Sequence, residues 1–383
     1  LREYLITALI AAAVTYLFVP IARYFAIKIG AAPEVRERDV HTVPTPRLGG
    51  LAIYVGLVAS LLFANSLPHT GGLLAHSDTV IAVILSGGIL VIIGFFDDWW
   101  GIDPLIKLGG QVAAAGVLVN LGVALPWLPL PNGAAASMDS GLSTVITILV
   151  VVIVINAINF IDGLDGLAVG IVGIAAMAMW SYSIILSQHL TGQRIATAAI
   201  ISAVLIGVCA GFLPHNTHPA RIFMGDTGSM LIAMVLATAT ISVTSGVDPY
   251  AIDSMNRFPV VLPLLLPVGV MAVPLIDLFT ALVRRTSHGM SPFAADRGHL
   301  HHRLLDIGHS HRRTVMIMHG WALLFSATVV GLAAGGVPVL IFPVVVLAAI
   351  TLLVVMAAPR QRRGRSHSRI AATNARHRRG TRA

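Results

Sequence analysis

Residues 144–155, TVITILVVVIVI, run directly into residues 156–167, NAINFIDGLDGL. The first half is apolar apart from two threonines. The second sets Asn156, Asn159, Asp162 and Asp165 at successive three-residue steps, and another apolar run follows. A segment this apolar that ends in four polar side chains reads as a membrane helix delivering polar groups to one membrane face. Spacing of three lines them along one edge of a 3₁₀-like turn, or within a half-cylinder if the segment is α-helical. Gly163 and Gly166 allow a tight turn or a close approach of backbone to a ligand.

Composition extends this reading to the whole chain. Hydrophobic residues make up 56% and charged residues 11%, the mean hydropathy is +0.85, and a soluble domain carries roughly a quarter charged residues. A spanning helix takes about 20 mostly apolar residues. Eleven such stretches are centred near residues 14, 57, 87, 116, 150, 177, 204, 236, 271, 324 and 347, leaving almost nothing for a soluble domain. The expected fold class is therefore all-α, a polytopic membrane protein of about eleven transmembrane helices. Around the first stretch the basic cluster (Arg23, Lys28, Arg36, Arg38) follows the apolar run, so it reads as a retained anchor and not a cleaved signal. Because the chain starts at Leu1 and not at Met, a few residues are expected in front of it. The single cysteine, Cys209, excludes an internal disulfide.

Arginine and lysine placement sets the orientation. Loops after helices 1, 3, 7 and 9 carry Arg36, Arg38, Arg47, Lys107, Arg221, Arg284, Arg285, Arg297, Arg303, Arg312 and Arg313, whereas the alternate loops carry only Arg194 and Arg257. The N-terminus is thus expected outside and the C-terminus in the cytoplasm, where nine arginines follow Pro359. Residues 359–383 read as a disordered basic tail that can also touch anionic lipid, and not as a nucleic-acid arm.

The acids fall on the same side. GFFDDWWGID (94–103) begins the loop after helix 3, NAINFIDGLDGL fills the loop after helix 5, and FMGDTGS (223–229) closes the loop after helix 7. Taken singly these could be an aromatic belt with two solvated acids, a polar helix end, and a turn in which Asp226 or Thr227 caps helix 8. Together they bring six carboxylates to one face, and two carboxylates about 4 Å apart repel by about 4 kcal/mol at an effective dielectric near 20. Such a cluster needs a cation. Hard oxygen donors without Cys or His suit Mg²⁺ or Mn²⁺, and Mg²⁺ is commonly shared between carboxylates and substrate phosphates. A calcium loop of EF-hand type fails, since the twelfth position from Asp162 is Gly173. Residues 291–313, SPFAADRGHLHHRLLDIGHSHRR, add His299, His301 and His302 between Arg297 and Arg303. Adjacent His301 and His302 point to different sides of a regular backbone, which argues against zinc and for contacts to phosphate or sugar oxygens.

Five blocks in this order, PTPRLGGLAIYVG (44–56), GFFDDWWGID, NAINFIDGLDGLAVG, FMGDTGS and DRGHLHHRLL (296–305), resemble the polyprenyl-phosphate N-acetylhexosamine-1-phosphate transferases of glycosyltransferase family 4. The form HLHH, in place of three consecutive histidines, is similar to the N-acetylglucosamine branch and unlike the pentapeptide branch. With 23 Arg to 2 Lys, the resemblance extends to actinobacterial members that use decaprenyl phosphate. It implies a bacterial plasma-membrane enzyme that transfers N-acetylglucosamine 1-phosphate from UDP-GlcNAc to polyprenyl phosphate, releasing UMP. The lipid bilayer, both substrates and a second copy of the chain are the expected partners. Residues 1–358 would form one transmembrane catalytic domain.

Position by position, the resemblance implies that Asp226, Asp97 and Asp98 are catalytic and hold the metal, with Asp226 the surest ligand. Asp165 would contact uridine, and Asn156, Asn159 and Asp162 would build the same loop. Asn216 would contact the nucleoside and Phe223 stack on its base, while Arg297, His299, His301 and His302 would bind diphosphate and sugar. Asp103 is not expected to be catalytic, because the third acid of many relatives stands closer to the Asp pair. A lysine near the PTPRLGG block has no lysine counterpart, and Arg47 or His41 takes its place. Two rivals remain: the same chemistry on another UDP-sugar, and a cation-coupled transporter. The second fits poorly, since the acids sit at helix ends, only Asp277 lies deeper, and no inverted repeat is visible.

Overall fold

The structure, a computed structural model, describes residues 1–31, 45–75, 77–129, 135–188, 190, 192–248, 283, 286–287, 304, 307–333 and 341–357. Among these, the helices are α1 (Arg2–Lys28), α2 (Gly49–Ser66), α3 (Pro68–Leu74), α4 (Thr79–Trp100), α5 (Pro104–Asn120), α6 (Ser140–Ile161), α7 (Leu167–Ser187), α8 (Gln193–Asn216), α9 (Gly225–Gly246), α10 (His311–Ala333) and α11 (Ile341–Ala357). The fold is an all-α membrane bundle, and eight of these helices are long and apolar enough to cross a bilayer. Of the eleven expected spans, those near residues 116 and 347 form helices of 17 residues, and the one near 271 lies outside the described residues. A short hairpin, β1 (Trp127–Pro129) with β2 (Ala135–Ser137), joins α5 to α6. Trp127 Nε1 donates to Val247 O at 3.1 Å, fastening the hairpin to the end of α9.

α9 is the axis of the bundle. It contacts α2, α4, α6, α7 and α8, and its apolar stretch is buried throughout. A helix with this many hydroxyls tolerates burial because Thr238, Thr240 and Thr244 each donate to the carbonyl four residues earlier, at 2.9 Å. α1 lies along α8 and α2 at the periphery, and its exposed face is studded with Leu5, Leu9, Leu17 and Ile21, as a lipid-facing surface requires.

Close backbone approaches bring α2, α4 and α9 together at one end. A Cβ on Gly94 would fall 2.5 Å from Thr227 Cα, and one on Gly50 would fall 2.2 Å from Gly228 N, so only glycine permits these crossings. The connections between helices meet there as well. Phe223 N donates to Pro46 O at 2.9 Å, Gly49 N to Phe223 O at 3.0 Å, and Arg47 N to Ala31 O at 3.0 Å.

Two motif blocks sit differently from the sequence reading. The Asp97–Asp98 pair lies inside the last turn of α4 and not in the following loop. α6 continues to Ile161, so Asn156 and Asn159 are helical, Asp162 is the C-cap, and only residues 162–166 form the turn. Apolar side chains dominate up to Ile161, and helical geometry breaks at Asp162, whose ψ is 42°, one residue before Gly163.

Candidate active site

The carboxylates of three blocks meet at the junction of α4, α5, α6 and α9. Asp226 enters in the first turn of α9, where Gly225 adopts φ +69°. A side chain on Gly225 would run into Asp98, whose Oδ2 lies 2.4 Å from the Cβ position. Neither Asp226 nor Thr227 is the N-cap expected from sequence; that position is Met224, which offers no side-chain acceptor. Asp98 supplies one from α4: it accepts from Asp226 N and Thr227 N, each at 3.0 Å, and from Thr227 Oγ1 at 2.6 Å. A carboxylate facing the first amides of α9 also meets the positive end of the helix dipole. Asp98 is buried and both its oxygens are engaged by the first residues of α9, so it seats that helix directly beneath the Asp97 and Asp226 carboxylates.

Asp97 and Asp226 share a different partner. Lys107 Nζ donates to Asp97 Oδ2 at 3.0 Å and also contacts Asp226 Oδ2. Sequence reading took Lys107 only as an orientation charge. The turn between α4 and α5 delivers it: Gly101 N bonds to Asp97 O at 3.0 Å, Ile102 N donates to Asp97 Oδ1 at 3.0 Å, and Asp103 caps α5 by accepting from Leu105 N at 2.8 Å. Asp103 itself is exposed, in a capping role. One signal for Lys107 was present, since a chain with 23 Arg keeps only 2 Lys. A compact ammonium with three rotatable donors can serve two carboxylates at once.

Asn159 donates through Nδ2 to Asp226 Oδ1 and to Ser229 Oγ, the latter at 2.9 Å, which orients the Asp226 carboxylate. Asn156, one turn deeper, donates to Gln111 Oε1 at 2.6 Å and ties α6 to α5. Asp162 is partly buried at the α6 C-terminus. Burial raises its carboxyl well above the usual carboxylate range, Asp226 and Asp98 push it further, and only Arg47 pulls it back. Asp97 and Asp226 share one ammonium, Asp98 and Asp162 stand beside them with no cation at ion-pair distance among the described residues, and Arg47 is exposed at the rim. The cluster is short of positive charge, and a divalent cation bound to hard oxygens fits it.

The remaining predicted residues form a neighbouring layer. Asn216 Oδ1 accepts from Gly166 N and Asn216 Nδ2 donates to Ile222 O, both at 3.0 Å, so this buried amide links the 162–166 turn to the 217–224 connection. Asp165 accepts from Ala220 N at 3.1 Å, and its Oδ2 lies 2.8 Å from His218 Nδ1. Phe223 is half-buried next to Gly49 and Pro46. Arg297, His299, His301 and His302 lie outside the described residues.

A partly buried run of carboxylates held at helix ends around one lysine, at one end of a membrane bundle, is an arrangement suited to phosphorylated substrates. The glycosyl transferase family 4 profile matches residues 80–244, which hold every member of this centre except Arg47. The chain belongs to this family, whose members here are sugar-1-phosphate transferases. It is 43% identical over 324 residues to the decaprenyl-phosphate N-acetylglucosaminephosphotransferase of Mycolicibacterium smegmatis, covering 84% of this chain and 80% of that protein. The enzyme of the same name from Mycobacterium tuberculosis gives the same figures, 43% over 324 residues. A probable undecaprenyl-phosphate N-acetylglucosaminyl 1-phosphate transferase of Bacillus subtilis is 31% identical over 344 residues, 90% of this chain and 89% of that protein.

Proposed function

We propose that this chain transfers N-acetylglucosamine 1-phosphate from UDP-GlcNAc to decaprenyl or undecaprenyl phosphate, giving polyprenyl-diphospho-GlcNAc and UMP, as the first membrane step of a cell-wall or surface polysaccharide. The observation that carries this reading is the Asp97–Lys107–Asp226 arrangement, backed by relatives whose names state that transfer. An oxygen of the lipid phosphate attacks the β-phosphorus of the nucleotide sugar, and the bond to the UMP oxygen breaks. The acceptor needs no strong base, since a phosphate monoester has a second pKa of about 6.

The residues act by position and charge. Asp226 and Asp97 would hold Mg²⁺ (or Mn²⁺), which would neutralise charge on the donor diphosphate and on the phosphate of the departing UMP. Lys107 keeps a cation between the same carboxylates, Asn159 fixes the orientation of Asp226, and Asp98 locks the start of α9 beneath them. Asp165, Asn216 and Phe223 would meet the nucleoside, and Arg297, His299, His301 and His302 the diphosphate and sugar. The arginine distribution supports a cytoplasmic site in the bacterial plasma membrane, with the N-terminus outside and residues 359–383 as a basic cytoplasmic tail on a single catalytic domain.

The test is mass spectrometry of lipid products from purified protein given UDP-GlcNAc or UDP-MurNAc-pentapeptide with each polyprenyl phosphate, with and without EDTA. A metal-dependent GlcNAc product is expected. Equal or better turnover of the pentapeptide nucleotide would overturn the donor assignment.

A further inference from the structure

Beside the acidic centre stands a second cluster of different chemistry. Asp165 lies in the turn between α6 and α7, His218 in the connection between α8 and α9, and His311 is the first residue of α10. Each offers a ligand atom, and these atoms all lie within 4.8 Å of one another. The two imidazole rings are stacked, with centroids 4.4 Å apart and planes inclined by 21°. Among the described residues this is the one group of three or more His, Cys, Asp or Glu side chains with ligand atoms this close.

We propose that Asp165, His218 and His311 form a binding site for zinc or a similar borderline divalent metal, separate from the magnesium chemistry of the carboxylate centre. The donor set is two imidazole nitrogens and one carboxylate oxygen, which suits Zn²⁺ and not Mg²⁺. Three protein ligands with water in the fourth position is an established zinc arrangement, with metal–ligand distances near 2.0–2.2 Å. The three ligand atoms already lie within 4.8 Å of one another, and converging on one ion requires the stacked rings to rotate so that their in-plane lone pairs meet.

The frame around the cluster is built. The Asp165 side chain is 1% exposed, and Ala220 N holds its Oδ2 at 3.1 Å. His311 is buried, while the His218 side chain is 35% exposed and gives the ion and its water a path to solvent. Arg312 Nη2 donates to His218 O at 3.0 Å, bracing the His218 backbone against the start of α10. The ligands come from three segments spread over residues 165–311, so a bound ion would clamp α10 to the loops beside the nucleotide pocket. Resting on the role given to Asp165 under the proposed function, zinc would also withdraw that carboxylate from the nucleoside and slow turnover.

The experiment uses the full chain purified on a histidine-free tag and stripped with chelator. Zn²⁺ is titrated in competition with a chromophoric chelator in millimolar Mg²⁺, and bound zinc is counted by elemental analysis. One zinc per chain is expected. His218→Gln and His311→Gln should each weaken it by more than about 100-fold, since outer-shell partners alone contribute about 10- to 100-fold. The triple change His299→Gln, His301→Gln, His302→Gln should leave it in place. A wild-type chain that binds no zinc against the indicator overturns the site, as does zinc that survives both single changes or disappears with the triple one. If UDP-GlcNAc turns out not to be the donor, the zinc count is unaffected, so the two readings fail separately.

Discussion

Two helices in this protein begin on an apolar N-cap and borrow a carboxylate from a distant part of the chain. At one end of α1, Glu3 accepts from His69 N and Thr70 N at the start of α3, whose own N-cap is Leu67. At the other end of the bundle, Asp98 accepts from Asp226 N and Thr227 N at the start of α9, whose N-cap is Met224. The device is the same. Glu3 serves α3 alone, whereas Asp98 has Asp97, Asp162 and Asp226 as neighbours and Lys107 among them. Capping accounts for one acid at each site. The three surplus carboxylates, and the lysine between two of them, are what a phosphorylated substrate and its cation call for.

The sharpest test of that surplus is Asp226→Asn. It keeps size but removes the charge that faces Lys107 and the cation, and turnover should fall by about a hundredfold to a thousandfold, with near-wild-type expression. Asp103→Asn, which alters only an exposed cap of α5, should keep most of its rate. Initial rates against Mg²⁺ concentration in one detergent compare the two; a wild-type rate in Asp226→Asn removes it from the metal site.

Lys107→Met comes next. Asp97 and Asp226 lose their shared cation, so turnover should drop by about a hundredfold, and thermal stability without divalent metal should fall as well. Added Mg²⁺ should recover the melting temperature and leave the rate low. Recovery of both by metal would mean that Lys107 merely balances charge.

The two caps can be set directly against each other. Asp98→Asn gives up the charge in its bonds to two amides and a hydroxyl and turns an NH₂ toward one of those donors, in a setting where a hydrogen bond to a charged group contributes about 1.5–3 kcal/mol, so it should lower both the melting temperature and turnover by loosening the seat of Asp226. Glu3→Gln should lower the melting temperature slightly and leave turnover intact. Equal effects of the two changes on rate would erase the distinction between a structural and a functional carboxylate.

Much of this end of the molecule was legible in the sequence. Three-residue spacing lined up Asn156, Asn159, Asp162 and Asp165, since helical geometry governs a local pattern, and the arginine distribution put Asp97 and Asp226 on the same membrane face. Long-range contacts were not legible. Asp98 meets α9 across 128 residues, Lys107 reaches Asp226 across 119, and His218 and His311 come together only through the packing of α10. α10 itself is seated by His319 against Gly170, where a Cβ would fall 2.2 Å from the ring. Helix boundaries were also misplaced, since polar residues within a last turn look like loop when read by polarity alone.

The smallest expected effect concerns Asp162, the surplus carboxylate with no lysine of its own. Burial, followed by Asp226 and Asp98, raises its carboxyl well above the ordinary value of 3.8. Below that ordinary value it is neutral in both folded and unfolded chains and contributes no strain. As pH rises from the ordinary value toward the raised folded one, the unfolded chain ionises freely while the folded one holds its proton, so stability is lost with increasing pH over that interval and levels off above it. In EDTA the melting temperature should therefore decline over this window, and Asp162→Asn should flatten the decline by about 1–3 °C. Mg²⁺ should flatten it in the wild type by neutralising the neighbouring carboxylates. Should the variant and the wild type follow the same slope in EDTA, Asp162 ionises without cost and the cluster is not short of positive charge.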